Sequence, residues 1–209
     1  MSTLTLQSLP LFPLGSVLFP GGVLPLRIFE VRYLDMIKRC HKEGAPFGVV
    51  LLTQGSEVRQ PGTTEAFAPV GTLATISELD TPAPGLMMIR ALGSQRFRIR
   101  SSNQLKHGLW IADVERLVAD RHVPIPDDLQ STSVALANLI HSLQEKAGQQ
   151  ARLPIEEPWQ LHDCGWVANR WCELLPMPTQ IKQRMMELDN PLVRLELVSD
   201  VLARTGIAS

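Results

Sequence analysis

Three groups of residues in this chain have types and spacings on which chemistry could be built. The first is His162-Asp163-Cys164 with Cys172 further along, all residue types that ligate zinc. If one helix carried both thiols, they would stand about 12 Å apart along its axis. A zinc ion holds each sulfur at about 2.3 Å, so an unbroken helix could not offer both to one ion. Buried structural cysteines are the expectation, with no metal and no cofactor. Cys40 reads the same way, and His41 beside it suits a helix C-terminus.

The second group is Arg96, Arg98 and Arg100, which alternate with Phe97 and Ile99. On a strand the arginines would share one face at a spacing of about 6.5–7 Å, a passable match to successive phosphates. An anion or RNA contact is one reading, and a solvated or ion-paired strand face is the other. Aromatic residues for base stacking are lacking nearby, and the net charge is −1. A chain built mainly to hold a nucleic acid backbone usually carries a basic excess. Nucleic acid is therefore not the expected partner.

The third group is Leu18-Phe19-Pro20-Gly21-Gly22, followed by Leu24. Burying a Leu or Phe is worth about 1.5–3 kcal/mol, so an exposed pair would call for a partner. Leu18, Phe19, Pro20 and Leu24 are the candidate peptide-binding residues. The competing reading has Leu18 and Phe19 plugging the fold from within. Trp159, Trp166 and Trp171 pose the same choice between core and groove. No catalytic residue is nominated. The chain has no Gly-Lys dipeptide, which a phosphate-cradling P-loop requires, and no G-x-S-x-G, H-E-x-x-H or G-x-G-x-x-G motif.

The elements that must position these groups fall into two parts. From Leu9 to Val118, short apolar or alternating runs are separated by Gly, Pro, Ser and Asp. The runs lead up to the Pro20-Gly21-Gly22 turn and then cover 23–29, 47–52, 70–79, 86–92, 96–104 and 109–118. Turn signals include Gln60-Pro61-Gly62 and Gly93-Ser94. Strands at such spacing predict a sheet curled into a barrel. One helix interrupts it, with Tyr33, Leu34, Ile37 and Cys40 at helical spacing and Gly44 as its stop.

After Pro124-Ile125-Pro126 the period becomes helical. Asp127 and Gln130 have the spacing of a capping box, and Gly148 should end that helix. A loop follows over 149–158. A second helix is expected from near Pro158, carrying Leu161, Cys164, Ala168, Trp171, Cys172 and Leu175 on one face. Pro176 and Pro178 break it. A short helix over 179–188 follows, and Asn190-Pro191 starts the last one. The predicted organisation is α+β: a β-rich barrel over 1–120 with one inserted helix, then an α-helical bundle over 121–209 packed beside it.

Composition agrees with an ordinary globular protein, 44% hydrophobic and 20% charged. Apolar runs such as Phe47–Leu52 are far short of the roughly 20 residues that span a bilayer. The N-terminus lacks a basic stretch ahead of an apolar core. Three cysteines, an odd count, suit a reducing compartment. A cytoplasmic location is expected.

Four segments resemble, in order, the Lon protease N-terminal (substrate-binding) domain family: LPLFPLGSVLFPGGVLPLRIFEVRY at 9–33, the strand from Gly71 to Ile76, Gly93 to Ile99, and the helical tail from Leu175 to Leu202. The first is specific; the others gain weight from their order. The text is most similar to stand-alone bacterial members. Val31 replaces a frequent proline, and Gly15-Ser16 replaces a charged pair common in the proteases. The resemblance implies a PUA-like β-barrel followed by a helical bundle. It also implies a non-enzymatic, ATP-independent domain that binds unfolded or hydrophobic polypeptide segments, with a protease or chaperone as a further partner. An RNA-binding PUA-like module using Arg96, Arg98 and Arg100 is the alternative.

Overall fold

A computed structural model describes residues 5–57, 64–147 and 153–207. The expected turn at Gln60-Pro61-Gly62, the helix stop at Gly148 and the loop residues 149–152 lie outside them. The fold is α+β, and its backbone divides into two compact units, Met1–Ala119 and Asp120–Ser209.

The first unit is a curled mixed sheet. Its strands are β1 (Thr5–Leu14), β2 (Val23–Ile28), β3 (Phe47–Gln54), β4 (Ala66–Ala83), β5 (Leu86–Gln104) and β6 (Trp110–Arg116), with helix α1 (Val31–Glu43) between β2 and β3. The order is β2-β5-β4-β3-β1-β6, and a further β5–β6 pairing closes five of the strands into a ring. Among the described residues only β1 and β3 run parallel, with Leu11 opposite Gly48; the other strand pairings are antiparallel. β2 stays outside the ring, attached to the first half of β5.

Two apolar layers follow from the two-residue period of the strands. The ring encloses Leu9, Leu11, Val50, Leu73, Phe97, Ala112 and Val114, so each of its five strands contributes. The opposite faces of β1 and β3, with β2 and the β4–β5 arm, pack on α1 through Tyr33, Met36, Ile37 and Cys40. Phe12 stacks on Tyr33 with ring centroids 4.1 Å apart. α1 ends where expected, at Gly44, whose φ of 61° is one that glycine adopts without strain.

β5 joins what reads in the sequence as two strands. The register steps from Ala74↔Gly93 to Thr72↔Arg96, so one extra residue bulges out of β5 while pairing continues. The interruption suggested by Gly93-Ser94 is thus a bend in one long strand.

The second unit holds a 3-10 turn (Asp127–Leu129) and the helices α2 (Gln130–Ala147), α3 (Cys164–Leu174), α4 (Thr179–Glu187) and α5 (Pro191–Thr205). The capping box at Asp127 does not form. Pro126 holds the cap position, and the Gln130 amide donates back to the Ile125 carbonyl at 2.7 Å. α3 starts six residues after Pro158, because Asp163 caps it: the carboxylate accepts from Trp166 N at 2.8 Å and Val123 N at 3.1 Å. Asn190 caps α5 as expected, accepting from Leu192 N at 3.0 Å, with Pro191 in the first turn.

Candidate functional site

The Leu18–Gly22 segment leads into β2, and its chemistry is that of a tight turn. Phe19 O accepts from Gly22 N at 2.9 Å; Pro20 and Gly21, with φ 73°, occupy the two central positions. Proline followed by a positive-φ glycine is the type II pattern. The turn is fastened to β5 by Gly21 N to Gly93 O at 2.9 Å and Gly93 N to Gly22 O at 2.8 Å. Thr72 donates its hydroxyl to Leu18 O at 2.6 Å. A Cβ on Gly93 would press on the Phe19 carbonyl and come within 3.0 Å of Leu18 Cγ.

This geometry corrects the expectation of an exposed apolar pair. Phe19 is 0% exposed and Leu18 4%, sealed by the protein's own residues. Pro20 is half-buried, and Leu24 is half-buried against the α1 layer. Apolar side chains do reach solvent elsewhere in this unit. Near the turn they are Phe29 at 53%, Val31 at 76% and Met88 at 43% exposure, and Val118, at 77%, stands apart in the segment after β6. Met88 is opposite Arg27 in the β2–β5 register. Phe29 stands two residues past Arg27, with buried Ile28 between, so Phe29 emerges on the Met88 side of the sheet. Val31 opens α1. Sequence reasoning missed the three near the turn because Phe29 and Val31 look like continuations of an inward-facing run.

Beneath the start of α1 lies a buried ionic cluster that sequence reasoning also missed. Arg32 pairs with Glu30 and Glu65, each at 3.1 Å, and donates to the carbonyls of Gly108 at 3.1 Å and Glu57 at 3.2 Å. Trp110 Nε1 donates to Glu65 at 2.7 Å. Three segments distant in sequence, at Glu57, Glu65 and Gly108–Trp110, are thereby tied to the helix entry. Tyr33 follows, its hydroxyl pKa raised by burial.

Of the two readings of the arginine row, the geometry agrees with a solvated or ion-paired strand face at Arg98 and Arg100, while Arg96 is buried. Arg96 is 3% exposed, because the chain leaving β6 covers it. Its guanidinium donates to Val118 O at 3.3 Å, and Gln95 donates to Leu117 O at 2.7 Å. Arg100 is exposed but paired with Glu115 on β6. Arg98 is exposed. Three aligned, open cations for a phosphate backbone are therefore not presented, and nothing in the geometry favours the RNA reading.

The cysteines are free and buried. Burial pushes the Cys164 thiol up to about 11 and Cys172 up to about 12, so both stay protonated near neutrality. Cys164 Sγ donates to Pro124 O at 3.5 Å. His122 Nδ1 lies 2.7 Å from the Asp163 carboxylate, and the His122 and His162 rings meet edge to face at 5.7 Å. Among the described residues, no group of three His, Cys, Asp or Glu side chains is placed to hold a metal. The tryptophans divide: Trp171 is 2% exposed and donates to Thr132 O at 3.0 Å, Trp166 is 9% exposed, and Trp159 is half-buried. No helix among the described residues is long and apolar enough to cross a membrane.

Comparison with known proteins gives these features a family. Residues 8–204 match the model of the ATP-dependent protease La (LON) substrate-binding domain. The Lon protease of Anaeromyxobacter dehalogenans (strain 2CP-C) is 27% identical over 197 residues, covering 94% of this chain and 23% of that protein. Lon protease 2 of Myxococcus xanthus is 25% identical over 199 residues, covering 95% and 24%. The chain thus spans about a quarter of the length of these relatives. Among solved structures, a Lon N-terminal domain protein from Xanthomonas campestris superposes with a TM-score of 0.71 at 29% identity, covering 93% of this chain and 98% of that one. The N-terminal domain of Mycobacterium avium complex Lon protease shares the fold, with a TM-score of 0.56 at 16% identity over 93% and 97% of the two chains. Sequence and fold agree along nearly the whole length, and the chain belongs to the family of LON substrate-binding domains.

Proposed function

We propose that this protein is a non-enzymatic recognition domain that binds unfolded or hydrophobic polypeptide segments and works in proteolysis or protein quality control. The family match over residues 8–204 carries the reading. The contact surface assigned to it is the outer side of β2 and β5 near the start of α1, where Phe29, Val31 and Met88 stand in solvent. Met88 stands on β5, Phe29 just past β2 and Val31 at the first turn of α1, so little backbone has to be ordered when they are covered, and they suit segments of varied sequence. Methionine adds adaptability, since its unbranched side chain fits partners of different shape. Leu18 and Phe19 serve this surface indirectly, by anchoring the turn that feeds β2. The cytoplasm, a reducing compartment, suits three free buried cysteines.

The test is binding of reduced, carboxymethylated α-lactalbumin, a permanently unfolded probe, to wild type and to a Phe29→Ser/Met88→Ser double variant. Wild type should bind, and the variant should bind roughly tenfold more weakly, with an unchanged circular dichroism spectrum. Absence of binding to wild type, or equal binding to both, would overturn the assignment.

A further inference from the structure

The second unit contains a feature that the first unit's surface does not explain. α4 and α5 are joined by three residues, Leu188, Asp189 and Asn190, and a groove of about 410 Å³ runs between the two helices. α4 contributes Ile181 and Met185 to its wall, its capping residue Leu188 adds a third apolar side chain, and α5 contributes Leu197 and Val201. Ile181, Met185 and Leu188 follow one another at steps of four and three residues, and Leu197 and Val201 at a step of four, the stripe that normally packs against another helix. Ile181 is 40% and Leu197 43% exposed, so that packing is unfulfilled.

The floor is held rigidly. Arg194 of α5, 1% exposed, donates to the carbonyls of Met185, at 2.9 Å, and Leu188. It therefore grips the C-terminal end of α4 and fixes the separation of the walls. The length is set by the same residues: Ile181 to Leu188 and Leu197 to Arg204 each cover seven residue steps, about 10 Å of helix. That is two turns, the span of an i, i+4, i+7 anchor set.

The rim carries charge of one dominant sign. Arg184 on α4 and Arg204 on α5 line the groove, against the single carboxylate of Asp200. Among the described residues, neither arginine has an ion-pair partner. This local cationic excess stands out in a chain of net charge −1. Charges flanking an apolar seam select partners by sign.

We infer that the α4–α5 groove is a docking site for an amphipathic helix of another polypeptide, with apolar residues at i, i+4 and i+7 and carboxylates on its flanks. The incoming helix completes a three-helix arrangement with α4 and α5, and its carboxylates meet Arg184 and Arg204. This site is separate in sequence and composition from the Phe29–Met88 surface.

The experiment uses two fluorescein-labelled helical peptides in anisotropy titrations against the full chain. Both carry leucines at i, i+4 and i+7; one has glutamates and the other lysines on the flanks. The acidic peptide should bind at least roughly tenfold more tightly than the basic one, and its affinity should fall as salt rises. Arg184→Glu/Arg204→Glu, both exposed positions, should reverse the preference. Ile181→Asp should abolish binding of both, whereas Phe29→Ser/Met88→Ser should leave binding at the groove intact. Equal affinity for the two peptides, no binding to either, or loss through the Phe29/Met88 variant would overturn the inference. So would sedimentation showing a wild-type dimer that Ile181→Asp dissociates, since the groove would then be covered by a second copy.

Discussion

Phe19 is the residue at which the two readings of the Leu-Phe-Pro-Gly-Gly segment separate. An exposed phenyl ring would be a binding determinant, whereas a ring at 0% exposure is a packing determinant. Its neighbours explain the outcome. Gly93 leaves space for the Phe19 carbonyl, and Thr72 holds the carbonyl of Leu18. Truncating a buried phenylalanine loses its transfer energy and leaves a cavity, so Phe19→Ala should destabilise the protein by about 3–5 kcal/mol. Urea denaturation followed by tryptophan fluorescence measures this. A loss below about 1 kcal/mol would mean that the ring is not packed as described. Lost partner binding in Phe19→Ala would report misfolding, which is why the binding test rests on Phe29 and Met88. The arginines teach the same lesson. Alternation in Arg96-Phe-Arg-Ile-Arg100 places side chains on two faces, but only the long-range fold reveals that the segment Leu117–Val118 lies over Arg96.

At the scale of elements, what was legible in the sequence was local chemistry. The Pro20-Gly21 turn, the Gly44 stop and the Asn190-Pro191 start depend on residues within a turn of one another, and all three form. The start of α3 was misplaced because its cap, Asp163, draws support from the distant Val123 and His122. The Arg32–Glu65–Trp110 cluster was illegible because its members are scattered over the chain. β2 shows how an element can carry both attraction and restraint. It is the strand left outside the ring, and Pro25 sits within it opposite Arg90. Proline has no N–H to give, and edge strands are where sheets tolerate it. The same gap discourages another strand from pairing along the edge. Pro25→Thr restores the donor and should promote self-association, seen as a concentration-dependent rise in sedimentation coefficient. A strictly monomeric variant at every concentration where wild type is monomeric would show that Pro25 does not guard the edge. Recognition on this side is therefore ascribed to side chains and not to strand addition.

For the whole molecule, the division at Ala119/Asp120 makes a prediction about where the second unit begins as a folding entity. Asp120 opens that unit, and its carboxylate lies 2.5 Å from Arg194 Nη1. Arg194 is 1% exposed and also donates to Asn169 Oδ1 at 3.0 Å. A guanidinium this deeply buried needs its counter-charge, because removing one member of a buried pair leaves the other uncompensated at a cost of about 3–5 kcal/mol. The pair joins the first residue of the unit to its last helix, and that helix also carries the wall of the α4–α5 groove. A fragment of residues 120–209 should therefore unfold cooperatively in urea, while Asp120→Ala in the same fragment should lose about 3 kcal/mol, discounted for the partial exposure of the carboxylate. Asp120→Asn keeps an oxygen acceptor but not the charge and should fall between the two. Equal stability of all three would show that Arg194 is balanced by other groups. Failure of the unmodified fragment to fold would show that the second unit depends on the first.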